Sequence, residues 1–191
     1  MSHHSTRLAA AVLPLVAGAA VTAALAVPVT ASASPTSTAA TPAATSAATG
    51  YTTRADWAAA VLTKLNQERA AAGLPALTSN TRLVSSAHSH NAKMASANTL
   101  SHQLPGEADL GTRITATGYS WSTVGENVAY NSVRTQAGVL ALQDAMYRET
   151  PPNDGHRRNI LSTAFTQVGV DVIDDSVHRK VWLVTDRGRP R

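Results

Sequence analysis

Between residues 53 and 97 the apolar positions repeat with the period of a helix. Trp57, Val61 and Leu65 fall four apart with Ala58 and Leu62 beside them, while Glu68 and Arg69 lie on or near the opposite face. Residues three and four apart share one side of a helix, so this spacing predicts an amphipathic one. Thr53 followed by Asp56 reads as a capping box with Asp in the usual Glu position. Gly73, Leu74 and Pro75 supply the stop. A second helix is expected over about 80–97, with Leu83, Ala87 and Met94 as its stripe and Val84, Asn91 and Ala95 alongside. Residues 107–117, ended by Gly118, and residues 133–149, with Val139, Leu142 and Met146 inward, give two more.

Near the C-terminus the period falls to two. Phe165, Gln167, Gly169, Asp171 and Ile173 alternate with Thr166, Val168, Val170 and Val172, and the run KVWLVTD (180–186) follows Asp174-Asp175-Ser176. Two such runs joined by a polar turn form a hairpin. The segment GYSWSTVGENVAYN, 118–131, adds a strand or an extended turn. Helices first and a hairpin last predict an α+β domain with helices packed on an antiparallel sheet.

The N-terminal part follows different rules. Arg7 precedes LAAAVLPLVAGAAVTAALAV (8–27), which is uncharged, and Ala31-Ser32-Ala33 has the small-residue pattern of a cleavage site. Residues 1–33 are therefore expected to be a signal peptide. The alternative is an uncleaved membrane anchor, since about 20 apolar residues can span a bilayer. Residues 34–50 are nearly all Ala, Ser, Thr and Pro. Such a composition buries too little apolar surface to offset chain entropy and predicts a disordered spacer. Residues 51–191 remain as the folded domain of a secreted, monomeric protein, free in the medium or held at the cell wall.

The chain has no cysteine, which excludes disulfides, thiolate metal sites and a cysteine nucleophile. The net charge of +4 is scattered and lacks a basic run with interleaved aromatics, so nothing points to nucleic acid. Membrane contact is expected only through an uncleaved leader.

Chemical groups and loop signals coincide at three places: His102 in LSHQLPGE, Glu126 in VGENVAY, and His156 in PPNDGHRRNIL (151–161), with Glu149 and Asp154 close to the third. Two prolines and a glycine make that last stretch a poor helix. Arg157 and Arg158 are expected to serve structure, one bonding turn carbonyls or a carboxylate and the other facing solvent. His88 and His90, two apart, point to different sides of a helix and cannot chelate together; both are expected to be partly exposed. Ser101 beside His102 is sequence adjacency, which does not make a nucleophile and base. No H-E-x-x-H, P-loop or G-x-S-x-G occurs. Spacing alone does not bring His102 and His156 together.

From about Trp57 to Asp186 the chain resembles the bacterial branch of the CAP superfamily (cysteine-rich secretory, antigen 5 and pathogenesis-related proteins; SCP-like). LNQERAAAGLPAL, SSAHSHNAKMA with LSH, RITATGY, GEN, GHRRNIL and FTQVGVDV occur in the family's order. The resemblance implies a three-layer α-β-α sandwich with a central antiparallel sheet. It also implies a cleft formed by His102, Glu126, His156 and Glu149. Met146-Tyr147-Arg148-Glu149 stands where eukaryotic members have Trp-Tyr-x-Glu. Two imidazoles with water can hold Zn²⁺ or another divalent metal, and neighbouring carboxylates can orient them or act as bases. The expected function is a binding module for a lipid, glycan, cell-wall component or partner protein. A purely structural polar cluster ranks second. A metal-dependent hydrolase or peptidase, with Glu126 or Glu149 as base, ranks third.

Overall fold

The computed structural model describes residues 12–17 and 50–191. Strands β1 (Val12–Ala17), β2 (Tyr51–Thr53), β3 (Thr78–Ser79), β4 (Trp121–Asn131), β5 (Gln167–Asp175) and β6 (Lys180–Pro190) form one sheet in the order β1-β4-β6-β5-β2, with β3 also on β5. All pairings are antiparallel except the two-residue β3–β5 contact. Helices α1 (Ala55–Ala71), α2 (Thr81–Ala97), α3 (Leu110–Ala116), α4 (Gln136–Tyr147) and α5 (Gly155–Leu161) complete the described part.

Alternation along the strands sorts the helices into two layers. Val168, Val170 and Val172 of β5 and Val181 and Leu183 of β6 pack with Trp57, Val61 and Leu65 of α1, Val139, Leu142 and Met146 of α4, and Ile160 of α5. The intervening Ile173, Trp182, Val184 and Val128 pack with Ala87, Met94 and Ala95 of α2. Leu110 and Ile114 of α3 join Leu83, Tyr119 and Val124 on that second face. This is the expected α-β-α sandwich. Among the described residues, its three apolar clusters are built from residues between Tyr51 and Val184, so the segment 50–191 carries a core of its own.

Several element boundaries differ from the sequence reading. Thr53 belongs to β2, and Arg54 stands at the N-cap of α1 without a side-chain cap, its guanidinium bound instead to Asp56 at 2.7 Å. Pairing with β5, continued by Arg54 N to Val172 O at 2.8 Å, takes Thr53 away from the helix. Glu68 and Arg69 are buried rather than on an outer face. Arg69 donates to the carbonyls of Pro75, Ile160 and Ser162 at 2.7 to 2.9 Å, which satisfies a buried guanidinium without a carboxylate. Glu68 meets Lys64 at 3.0 Å and Gln143 at 2.6 Å. Helix α3 starts at Leu110, where the Asp109 side chain accepts from Thr112 N. Helix α4 starts after Thr135, whose hydroxyl accepts from Gly138 N. Gly155–Leu161, read as a poor helix, is α5. The hairpin turn is set by Asp175, which accepts from Val177 N and His178 N at 2.9 and 3.0 Å, with Arg179 at a positive φ of 56°.

Of the expected signal segment only Val12–Ala17 is described. It runs beside β4 in the register Val12 to Ala129 through Ala17 to Val124. The rest of it and the spacer up to residue 49 lie outside the described residues. Among the described residues no helix is long and apolar enough to cross a membrane.

Asn80 anchors the start of α2. Its side chain accepts from Arg82 N at 2.9 Å and donates to Gln167 at 3.0 Å, tying the helix to β5. Asn80→Ala is expected to cost about 1–2 kcal/mol. Asn80→Asp keeps the cap and should cost less, and urea unfolding of both variants checks the order.

Candidate functional site

Strand β4 crosses the middle of the domain and presents Glu126 to the α2–α3 layer and Asn127 to the opposite one. Glu126 is fully buried. One of its oxygens meets His102 Nδ1 at 2.7 Å, and the other accepts from Arg113 Nη2 at 2.5 Å. His102 sits in the loop after α2, where Asn98 adopts a left-handed conformation and ends the helix. Two side chains then fix the loop. His90 Nε2 reaches Ser101 O at 2.8 Å, and Arg113 Nη1 donates to His102 O at 2.8 Å. The carbonyl is only an acceptor, so His90 Nε2 carries a hydrogen. Glu107 closes the base of the loop, meeting His90 Nδ1 at 2.9 Å and Leu104 N at 3.2 Å. Burial works to raise the Glu107 carboxyl, but His90, the Leu104 amide and Lys93 together hold it below its ordinary range.

On the other layer, Glu149 follows the end of α4 and reaches across the turn containing Pro151 and Pro152. Its carboxylate accepts from His156 N at 2.9 Å and Arg157 N at 3.3 Å, doing for α5 what the Asp154 side chain does not. The other Glu149 oxygen meets His156 Nδ1 at 2.5 Å. Helix α5 is docked on β4: Asn159 donates to Glu126 O at 3.2 Å and to Asn127 Oδ1 at 2.8 Å, and Asn127 donates to His156 O at 3.3 Å. Arg157 donates to Tyr147 O and stacks on the Tyr147 ring, while Arg158 is exposed beside Asp154, as the division of labour between them predicts.

Each expected glutamate is thus bonded to one expected histidine, both through Nδ1. A hydrogen on Nδ1, donated to the carboxylate, leaves Nε2 as the lone-pair position. His102 Nε2 is buried and has no hydrogen-bond partner among the described residues. Residues 126 and 127 link the two pairs, Glu126 through its side chain and Asn127 through the His156 carbonyl. Among the described residues no three His, Asp or Glu side chains converge on one point. A cation here would therefore have at most two protein ligands, with water completing its shell.

His90, Glu107 and Arg113 were not singled out by sequence reasoning. His90 is fully buried, contrary to the expectation of partial exposure. The spacing 83–87–90–94 already put it on the apolar stripe of α2. His88, by contrast, is half-exposed and meets Asp171 at 3.1 Å. Nothing in the run RITATGY marks Arg113 as buried. A groove of about 520 Å³ lined by Lys93, Ala97, Thr99, Leu104, Pro105, Gly106 and Glu107 lies along the loop that carries His102.

The profile of the Cysteine-rich secretory protein family (CAP) matches residues 62–186. An uncharacterized protein of Bacillus subtilis (strain 168), YkwD, is 29% identical over 117 residues, 61% of this chain and 41% of that protein. An extracellular protein containing an SCP domain from Bacillus anthracis str. Ames is similar in structure, with a TM-score of 0.58, 26% identity, and coverage of 70% of this chain and 40% of that one. An outer surface protein from Borrelia burgdorferi has a TM-score of 0.62 over 73% of this chain and 98% of that one; at 15% identity it is similar in fold alone. This chain spans less than half the length of the two Bacillus proteins.

Proposed function

Because the chain belongs to the CAP family of cysteine-rich secretory proteins, we propose that it is an extracellular binding module. Its cleft holds a divalent cation, such as Zn²⁺, through His102 and His156. The observation that carries this reading is the pairing of each histidine, through Nδ1, with its own carboxylate, Glu126 or Glu149. A carboxylate that accepts the Nδ1 hydrogen aims Nε2 at a metal and raises its basicity. The buried Nε2 of His102 fits such a ligand. When bound, the cation supplies a Lewis-acidic centre with water in its open positions.

Both carboxylates are committed to orienting histidines, Glu126 also to Arg113 and Glu149 also to two α5 amides. That favours binding over hydrolysis with either glutamate as base. The partner class is a lipid, glycan, cell-wall component or protein. The 520 Å³ groove beside the His102 loop falls within the ordinary size of ligand pockets and offers such a partner a place along that loop. An extracellular address is supported by the apolar leader and by the description of the B. anthracis relative.

Titration calorimetry with Zn²⁺ on the segment 50–191 tests the reading. One-to-one binding is expected, lost in both His102→Ala and His156→Ala, and weakened about 10–100-fold in Glu126→Gln, which keeps the shape but not the charge. Binding indifferent to both histidines would remove the metal from the cleft.

A further inference from the structure

Asp186 of β6 stands directly opposite Glu126 of β4 in the strand register, on the same face of the sheet. Residues so placed have Cβ atoms about 4.5–5.5 Å apart, a spacing from which two carboxyl groups can meet. Both residues are fully buried. Neither oxygen of Asp186 meets a hydrogen-bond donor at bonding geometry among the described residues; the neutral donor nearby is the Ser86 hydroxyl, which likewise has no partner at bonding geometry. The charged and titratable groups around this pair are Arg113 from α3, His90 from α2, and His102 and Glu107 from the intervening loop; farther along the same face His88 of α2 and Asp171 of β5 pair with each other at 3.1 Å. Arg113 is already bound to Glu126 at 2.5 Å, and the next residue on β6, Arg187, carries a second buried guanidinium that interacts with Asp186. A second carboxylate would be an anion with a neutral hydroxyl, Ser86, as its nearby donor, and with another anion directly opposite. That is a costly arrangement in a buried site. As an acid, Asp186 has an acceptor immediately opposite, since each Glu126 oxygen offers two lone pairs and uses one.

We propose that Asp186 is a positioning residue: it stands as the neutral carboxylic acid and donates its O–H to Glu126, holding that carboxylate in place between His102 and Arg113. Glu126 is then fixed from three sides, by a ring N–H, a guanidinium and an acid. The inference rests on Glu126 orienting His102, the reading given above. Burial first, and the Glu126 charge second, raise the Asp186 carboxyl well above the ordinary aspartate range; the Ser86 hydroxyl and Arg113 oppose the rise. The native state binds the proton more tightly than the unfolded chain, so this contribution is full below the unfolded value and is lost as the pH rises toward the folded one.

Infrared spectroscopy of the segment 50–191 at neutral pH reads the proton directly. The expected result is a carbonyl stretch of a protonated carboxylic acid that disappears in Asp186→Asn. That variant keeps a donor to Glu126, so the His102 tautomer, read from ring nitrogen shifts by NMR, should stay as in the wild type. Asp186→Leu removes the donor, and the Nδ1–H signal of His102 should exchange faster. Absence of the band in the wild type, or its persistence in Asp186→Asn, overturns the proposal without requiring Asp186→Leu to fold. An unchanged His102 signal in a folded Asp186→Leu overturns the positioning role. If the band behaves as expected but Zn²⁺ does not bind, the metal reading fails and the acid–carboxylate pair stands.

Discussion

Replacing Gly169 by alanine will cost about 3 kcal/mol or more, at or beyond the upper end of what overpacking usually does. The reason is the closeness of two main chains. A Cβ on Gly169 would lie 2.1 Å from the carbonyl carbon of Leu83, 2.2 Å from Val84 N and 2.5 Å from Leu83 O. These are backbone atoms in the first turn of α2, so no side chain can rotate out of the way. The helix would have to lift from β5, straining the Asn91 to Asp171 contact at 2.8 Å and the Asn80 anchor together. A loss on this scale corresponds to a fall in melting temperature on the order of 10 °C for a domain of this size. Thermal unfolding followed by circular dichroism checks it; a melting point within a degree or two of the wild type would mean that α2 is free to shift.

The second large effect is expected at Arg113. Substitution by methionine keeps much of the side chain's bulk and removes the charge, leaving Glu126 buried with its Arg113 partner gone and Glu107 without a nearby guanidinium. Breaking one side of a buried ion pair typically costs about 3–5 kcal/mol. The loss should be greatest near neutral pH and shrink on acidification, because protonating the stranded carboxylates removes the uncompensated charge. Arg113→Lys keeps the charge but not the fork that serves Glu126, His90 and the His102 carbonyl at once, so its cost should be intermediate. Chemical denaturation of the three proteins across acid to neutral pH measures both points. A deficit in Arg113→Met that does not change with pH would mean that packing, not charge, is what Arg113 contributes.

The helices and the hairpin were legible because they depend on periodicity, while the three-layer arrangement came from the resemblance. The α2 stripe through Leu83, Ala87 and Met94 and the alternation along β5 each follow from which side must be dry. Boundaries were less legible because a cap depends on what else competes for the residue. Thr53 can cap a helix or pair in a sheet, and β5 decides the matter. The buried charges were hidden for a related reason. Arg69 and Glu68 look like the wet side of α1 until carbonyls from the 75 and 160–162 loops and the Gln143 amide arrive to satisfy them. His102, Glu126 and His156, with Glu149 beside the third, stood out by loop signals, but only the resemblance joined them into one cleft, since no local spacing joins residues so far apart in sequence. What neither spacing nor resemblance supplied is the support behind them. His90, Glu107, Arg113 and Asp186 come from α2, a loop, α3 and β6, and only the folded chain puts them behind one glutamate.

The Arg69 guanidinium has a consequence for how the domain opens. Its bonds to Ile160 and Ser162 join the end of α1 to the end of α5 across more than 90 residues of chain. A fluctuation that peels α5 from the sheet must also strand that buried cation. The seven-residue helix carrying His156 is short enough to fray by itself, yet it is tied to α1 through a buried cation far away in the chain. Local opening there therefore approaches the free energy of global unfolding, and the amides of α5 belong to the slowest-exchanging class despite their place next to a turn.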